Sequence, residues 1–193
     1  MLANYWFYNT LQNTPQSGEV LTKGILISTN TLEDFKKEDK SELIKEVASK
    51  IWNGIKSGEA ETQTSLLSYF LIFVFGDLKK YHYYWWCAFP TFLYPRSVTL
   101  CSSIDTLQTK IKDSDLIDKI QRSLRETDVC LAFFTLIIEE SNVQILPLSS
   151  YYSTLKERKT NCKVWLGFSD PSNSPQHPGW VLRNLLTLAA VRW

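Results

Sequence analysis

The chain has 193 residues and a formal net charge of +1 at neutral pH. Apolar residues make up 44% of the sequence and charged residues 21%, which is enough for a packed core and argues against global disorder. This near-neutral charge argues against a general nucleic-acid-binding protein, which would be strongly basic. No apolar run is long enough to span a bilayer and no signal peptide opens the sequence, so we expect a cytoplasmic protein.

The first 60 residues predict two short apolar elements and one clear helix. Aromatic residues favour a strand at Asn4–Asn9, and Gly24–Ser28 is a second short apolar element. Asp39 followed by Glu42 has the spacing of a capping box, and apolar residues then recur at three- and four-residue steps. Gly58 is a natural C-terminal stop. We therefore expect a helix between Asp39 and Gly58.

The densest apolar and aromatic stretch runs from Tyr69 to Pro90. It predicts two core strands joined by a turn at Gly76–Lys80. Side chains alternate in a strand, so the second strand has two aromatic faces, one with Tyr83, Trp85, Cys87 and Phe89, the other with Tyr84, Trp86 and Ala88. Core packing on both faces explains this pattern. The alternative is that a partner peptide completes one face.

The second half of the chain alternates predicted helices and strands. They are a helix at Ser114–Arg125, strands at Asp128–Ile138 and Asn142–Leu148 that form a second hairpin, a short helix at Ser149–Lys156, a strand at Cys162–Phe168 and a final helix at Trp180–Trp193. This order predicts an α+β fold with mixed, largely antiparallel sheets and helices packed on one side. We expect residues 1–193 to form a single domain, with two lobes as the alternative.

The sequence predicts no catalytic, cofactor or metal site. None of the seven glycines forms a phosphate-binding loop. The four cysteines lack a metal or redox spacing and are expected to be reduced, buried thiols; they are Cys87, Cys101, Cys130 and Cys162. Strand parity places His82 and Cys87 on opposite faces, so they form no local dyad. The pair Glu139-Glu140 and the residue Asp170 are predicted to belong to turns.

Three stretches of the sequence resemble the N-terminal domain family of autophagy-related protein 7, the activating enzyme for the ubiquitin-like modifiers of autophagy. They are Gly24–Lys40 (GILISTNTLEDFKKEDK) with the match that follows it at Ile51–Gly58 (IWNGIKSG), Phe75–Pro90 (FGDLKKYHYYWWCAFP) and Gly167–Trp193. The chain departs from the family pattern where Ser28 replaces Asn, Gly76 replaces Ala, and Ser169, Ser172 and Val181 replace Tyr, Cys and Pro. The similarity covers about residues 24–193.

The resemblance implies a non-catalytic domain that recruits conjugating enzymes. In the family this domain binds autophagy-related proteins 3 and 10 and holds each near a catalytic cysteine, so that the modifier passes between cysteines. The adenylation domain, with ATP, a metal and the thioester cysteine, is expected after Trp193, and the opening lobe is expected to be shortened. Ubiquitin-like modifiers would then be bound through that later region, and none of the four cysteines is the thioester cysteine.

The predicted partner-binding surface lies at the turn and the second strand of the aromatic hairpin. Its residues are Lys79, Lys80, Tyr81, Tyr83 and Trp85. Aromatic side chains beside basic ones are typical of binding hot spots. The same composition also suits a stacking platform for single-stranded nucleic acid, which is the second functional hypothesis.

Overall fold

The computed structural model describes residues 22–126, 132–158, 161–174 and 176–193. The strands in these ranges are β1 (Gly24–Thr29), β2 (Phe70–Asp77), β3 (His82–Ala88), β4 (Phe133–Glu139), β5 (Asn142–Pro147) and β6 (Cys162–Phe168). The α-helices in them are α1 (Leu32–Lys37), α2 (Lys40–Ser57), α3 (Glu59–Thr62), α4 (Leu107–Lys110), α5 (Ser114–Glu126), α6 (Tyr151–Glu157) and α7 (Trp180–Arg192). The predicted strand at Asn4–Asn9, the first residues of the predicted strand at Asp128–Ile138, and Cys130 lie outside the described residues.

The first sheet confirms the predicted aromatic hairpin. Its order is β1-β2-β3, and β2 pairs antiparallel with β3 in an unbroken register. The turn is shorter than predicted, because Gly76 and Asp77 remain in β2. Asp77 Oδ1 accepts the backbone N–H groups of Lys79 and Lys80, both at 3.1 Å, so this carboxylate closes the turn at the end of β2.

A parallel pair completes the first sheet. β1 runs parallel to β2, with Gly24 opposite Phe70 and Thr29 opposite Phe75. A parallel pair needs a long crossover connection, and here α1, α2 and α3 supply it. The mixed sheet agrees with the predicted α+β class.

The helix α2 has the predicted ends. The Asp39 side chain accepts the backbone N–H groups of Ser41 and Glu42 at 2.9 and 3.4 Å, which satisfies N–H groups that have no partner within the helix. The reciprocal half of the predicted capping box is replaced, because the Glu42 carboxylate pairs with Lys45 at 2.6 Å. Gly58 ends the helix with φ of 87°, a left-handed conformation that a residue without Cβ adopts at low cost.

The second sheet is antiparallel and has the order β5-β4-β6. The predicted strand Cys162–Phe168 is confirmed as β6, and the predicted strand Asn142–Leu148 ends at Pro147. Leu148 instead starts a 3₁₀ turn before α6. The first four residues of the predicted strand at Asp128 cannot be compared, and within the described part β4 begins at Phe133.

Two clusters of buried side chains hold these elements together. The first joins α2, β2, β4 and α7 through residues such as Ile51, Leu71, Phe133 and Leu188. The second lies between α5 and the other face of β4 and includes Ile120. Because successive side chains of β4 point to opposite faces, this strand contributes to both clusters. The division of the chain into one domain or two lobes stays a prediction.

Two buried polar side chains on α7 fix the segment that follows β3. Asn184 Nδ2 donates to the carbonyl oxygens of Leu67 and Pro90, at 2.9 and 3.1 Å. Thr187 Oγ1 donates to the carbonyl oxygen of Tyr94 at 2.6 Å. Both side chains are fully buried. They supply the hydrogen bonds that an irregular backbone segment cannot form within a sheet.

Candidate partner-binding surface

One face of β3 is packed against the chain itself. The Tyr84 ring centroid lies 6.0 Å from that of Phe75 and 6.2 Å from that of Phe35 on α1. Trp86 packs against the first buried cluster and Ala88 is buried in it. Of the two aromatic faces that the sequence predicts, this one is therefore covered by the chain at Trp86 and Ala88, whereas Tyr84, at the turn end, is still 38% exposed.

The opposite face of β3 is open within the described residues. Tyr83 is 42% exposed and Trp85 is 50% exposed, and their ring centroids are 6.4 Å apart. The Tyr83 ring lies over Gly76, where an added Cβ would come within 3.2 Å of Tyr83 Cε1. The absence of a side chain at Gly76 thus leaves room for the ring to lie along the strand. We call this surface, formed by Tyr83, Trp85 and Phe89, the open aromatic face.

Phe89 extends the open aromatic face towards α7, although the predicted surface did not include it. Its ring centroid lies 4.5 Å from that of Trp180 on α7 and 6.2 Å from that of Phe70 on β2. Phe89 has the same strand parity as Tyr83 and Trp85. That parity was the signal by which the sequence could have placed it in the surface.

The basic residues and Tyr81 lie at the turn end of this face. Lys79 and Lys80 are exposed, and their backbone N–H groups bind Asp77 while their side chains extend from the turn. Tyr81 is 82% exposed and has φ of 55°. Its left-handed backbone interrupts the strand alternation, so Tyr81 lies at the rim and not in the row formed by Tyr83 and Trp85.

The structure agrees with the exclusion of a His82–Cys87 dyad. Both residues lie in β3, where His82 pairs with Asp77 and Cys87 with Ile72. Because they are five positions apart, their side chains point to opposite faces of the sheet. The expectation of buried thiols was wrong for Cys87, which is exposed because it shares the open face of the sheet. It was also wrong for Cys101, which is exposed in the irregular segment before α4.

Asp170 and Glu140 lie in turns as predicted, whereas Glu139 is the last residue of β4 and not part of the turn. Asp170 Oδ1 accepts the backbone N–H groups of Ser172 and Gly179, both at 2.9 Å, and so closes the loop before α7. Glu140 is exposed and has φ of 53° in the turn between β4 and β5.

Across the described ranges, no group of three or more His, Cys, Asp or Glu side chains could hold a metal ion. No described helix has the length and apolar character needed to cross a membrane.

The ion pair between Lys45 and Glu42 on α2 shifts the pKa of the lysine. The hydrogen bond from Lys45 to Glu42, with the negative charge of that carboxylate, raises the pKa of Lys45. A raised lysine pKa stabilises the fold below the unfolded pKa, and this contribution is lost as the pH rises through the folded value. The Lys45 and Glu42 side chains are 68% and 65% exposed, so solvent screens the pair strongly.

The fold and this surface together define the protein as an α+β domain with an open aromatic sheet face. Residues 4–193 match the family described as the N-terminus of ubiquitin-like modifier-activating enzyme ATG7, and the chain belongs to this family. The human protein named ubiquitin-like modifier-activating enzyme ATG7 is 38% identical over 174 residues, which cover 88% of this chain and 24% of the human protein. The Emericella nidulans protein of the same name is 33% identical over 183 residues, covering 89% of this chain and 28% of the relative. The chain thus spans about a quarter of the length of these relatives.

Two solved structures of Kluyveromyces marxianus Atg7NTD, one alone and one in complex with Atg10, are similar to this chain. The crystal structure of Kluyveromyces marxianus Atg7NTD gives a TM-score of 0.55 at 22% identity, covering 92% of this chain and 58% of that chain. The Kluyveromyces marxianus Atg7NTD–Atg10 complex gives a TM-score of 0.49 at 19% identity, covering 91% and 57%. The first of these likenesses supports the α+β fold assigned above.

Proposed function

We propose that this chain is a non-catalytic recruitment domain that binds and positions the conjugating enzymes of autophagy. The family match over residues 4–193 carries the proposal. The partners are autophagy-related proteins 3 and 10, which the sequence resemblance implies. Holding a conjugating enzyme close to a thioester converts an encounter between separate molecules into a local transfer.

The proposal assigns no catalytic step to the chain. The seven glycines form no phosphate-binding loop, which supports placing ATP, metal and the thioester cysteine in a separate region of the activating enzyme. The ubiquitin-like modifiers are bound in that region as well. The proposed site of action is the cytoplasm.

The open aromatic face and its basic rim are the proposed partner-binding surface. Tyr83 and Trp85 expose large rings on a sheet that is held rigidly from behind by Phe35 and the first buried cluster. Exposed aromatic side chains on a rigid support lose little conformational entropy when they are buried by a partner. Lys79 and Lys80 add positive charge at one end of the face, where charge affects the association rate and the orientation of the partner.

Alanine at both Tyr83 and Trp85 is expected to weaken binding of a conjugating enzyme strongly. Loss of a tyrosine or tryptophan hot spot typically costs about 2 kcal/mol, which is roughly thirtyfold in Kd for each residue. Isothermal titration with autophagy-related protein 3 or 10 measures the change, and circular dichroism checks that the variant is folded. The matched control is Tyr152→Ala on α6, beside the second sheet. Equal affinities for the double variant and the unmodified chain would refute this placement.

Single-stranded nucleic acid remains the competing ligand class for the same surface. The close pair of Tyr83 and Trp85 rings beside two lysines is the observation that favours it. A fluorescence titration with oligonucleotides at two salt concentrations separates the two ligand classes. Weak binding is expected, whereas tight binding with a steep salt dependence would favour nucleic acid and contradict recruitment.

A further inference from the structure

The outer edge of β3 has no strand beside it in the described part of the chain. β3 is the last strand of the order β1-β2-β3 and is seven residues long. In an antiparallel pair, every second residue directs its backbone N–H and C=O groups away from the neighbouring strand. Those groups on β3 are available to another extended segment.

β3 also lacks the features that protect exposed strands from pairing. Lysine, proline and bulges are common protective features of edge strands. β3 (HYYWWCA) contains no proline and no lysine, arginine or acidic residue, and its register with β2 runs without a bulge from His82 to Ala88. The two edge strands of the second sheet differ, because β5 ends in Pro147 and β6 carries Lys163.

The positive charge of Lys79 and Lys80, at the turn end of β3, indicates what kind of segment could pair with this strand. The ammonium groups of Lys79 and Lys80 form no ion pair with a carboxylate among the described residues. An acidic side chain would complement them. Along the strand, Tyr83 and Trp85 offer apolar contact surface on one side of the added backbone.

We propose that the conjugating enzyme adds an extended segment to the first sheet as a fourth strand beside β3, with an apolar side chain against Tyr83 and Trp85 and acidic side chains near Lys79 and Lys80. This inference rests on the proposed recruitment function and specifies how the partner is held. Main-chain hydrogen bonds supply affinity in such strand additions, and alternate side chains supply specificity.

Amide hydrogen exchange resolved by residue tests the strand addition directly. The chain is compared alone and with autophagy-related protein 3 or 10 at about a hundred times its Kd, where protection of a newly bonded amide can reach about a hundredfold. Every second amide of β3 should exchange more slowly in the complex, by up to about a hundredfold at this concentration. The intervening amides, already bonded to β2, should change little.

Charge reversal tests the predicted acidity of the added segment. The double variant Lys79→Glu with Lys80→Glu should bind about tenfold more weakly, and its affinity should fall less steeply with salt. Arg122→Glu with Arg125→Glu on the exposed side of α5 makes the same change in charge beside the second sheet, and is the control. Equal losses in the two double variants would show an effect of net charge alone and overturn the acidic assignment.

The outcomes separate this inference from the recruitment proposal. If binding requires Tyr83 and Trp85 but β3 shows no alternating protection, the partner docks through side chains and the strand addition is wrong. If neither conjugating enzyme binds the chain, the recruitment function itself fails. Alternating protection in β3, together with the selective effect at Lys79 and Lys80, supports both.

Discussion

Replacing Asn184 with aspartate is expected to destabilise the fold by about 4 kcal/mol, since buried carbonyls lose their donors and a carboxylate is buried among acceptors. The Asn184 amide donates to the carbonyl oxygens of Leu67 and Pro90 and is fully buried. An ionised carboxylate has no hydrogen to donate and would face two carbonyl oxygens. This single side chain connects the approach to β2 with the exit from β3, so its loss affects the whole first sheet.

Urea unfolding at several pH values measures this effect and its origin. In the variant, burial near acceptors is expected to raise the folded pKa of the new carboxyl group above its unfolded value. The destabilisation should therefore be largest above the folded pKa and shrink as the pH falls below it, because a protonated carboxyl can donate one hydrogen bond. Arg183→Ala, at the exposed neighbouring position, is the control and should change stability by less than about 0.5 kcal/mol. A pH-independent loss equal to that of the control would contradict the role assigned to Asn184.

Truncating Leu188 to alanine is expected to cost about 3 kcal/mol of unfolding free energy. Leu188 is fully buried, with a relative exposure of 0%, and lies in the first buried cluster. The substitution removes apolar surface from the core and leaves a cavity where α7 meets the other elements of that cluster.

The matched control for Leu188 is Leu100→Ala in the irregular segment before α4. Leu100 is 71% exposed, so the same chemical change should alter the midpoint of urea unfolding very little. Both variants are measured by circular dichroism and by tryptophan fluorescence, with the slope of the urea dependence compared to exclude a change in cooperativity. A loss at Leu188 no greater than that at Leu100 would contradict the position of α7 in the core.

Local patterns in the sequence identified the elements whose signals are contained within a few residues. The helix α2 was recognised from its Asp39 cap, its apolar periodicity and the Gly58 stop, and each of these depends on neighbours within one or two turns. The β2–β3 hairpin and β6 were likewise recognised from continuous apolar runs. The boundaries were less certain, as Gly76 and Asp77 show, because a turn and a strand end share the same residue types.

Features that depend on distant parts of the chain were not predictable. The parallel pairing of β1 with β2 involves residues brought together by a long crossover. The covered side of β3 is decided by Phe35 and the helices behind the sheet, so alternation alone separated its two faces without showing which one is open. The exposure of Cys87 follows from the same packing. The alternation of side chains along the strand therefore grouped the surface residues correctly. Whether they are exposed depends on tertiary packing, which the alternation does not show.

The mixed pairing of the first sheet has a consequence for the order in which it folds. Partners in the hairpin start five positions apart, at Asp77 and His82, whereas Gly24 and Phe70 of the parallel pair are 46 positions apart. Closing the longer loop costs about 2 kcal/mol more entropy, so we expect β2 and β3 to pair before β1 docks. Pulse-labelled amide exchange during refolding should show protection of β2 and β3 ahead of β1; simultaneous protection would contradict this order. Until β1 arrives, the nascent hairpin exposes both of its edges, which makes early folding the stage most vulnerable to misassociation between chains.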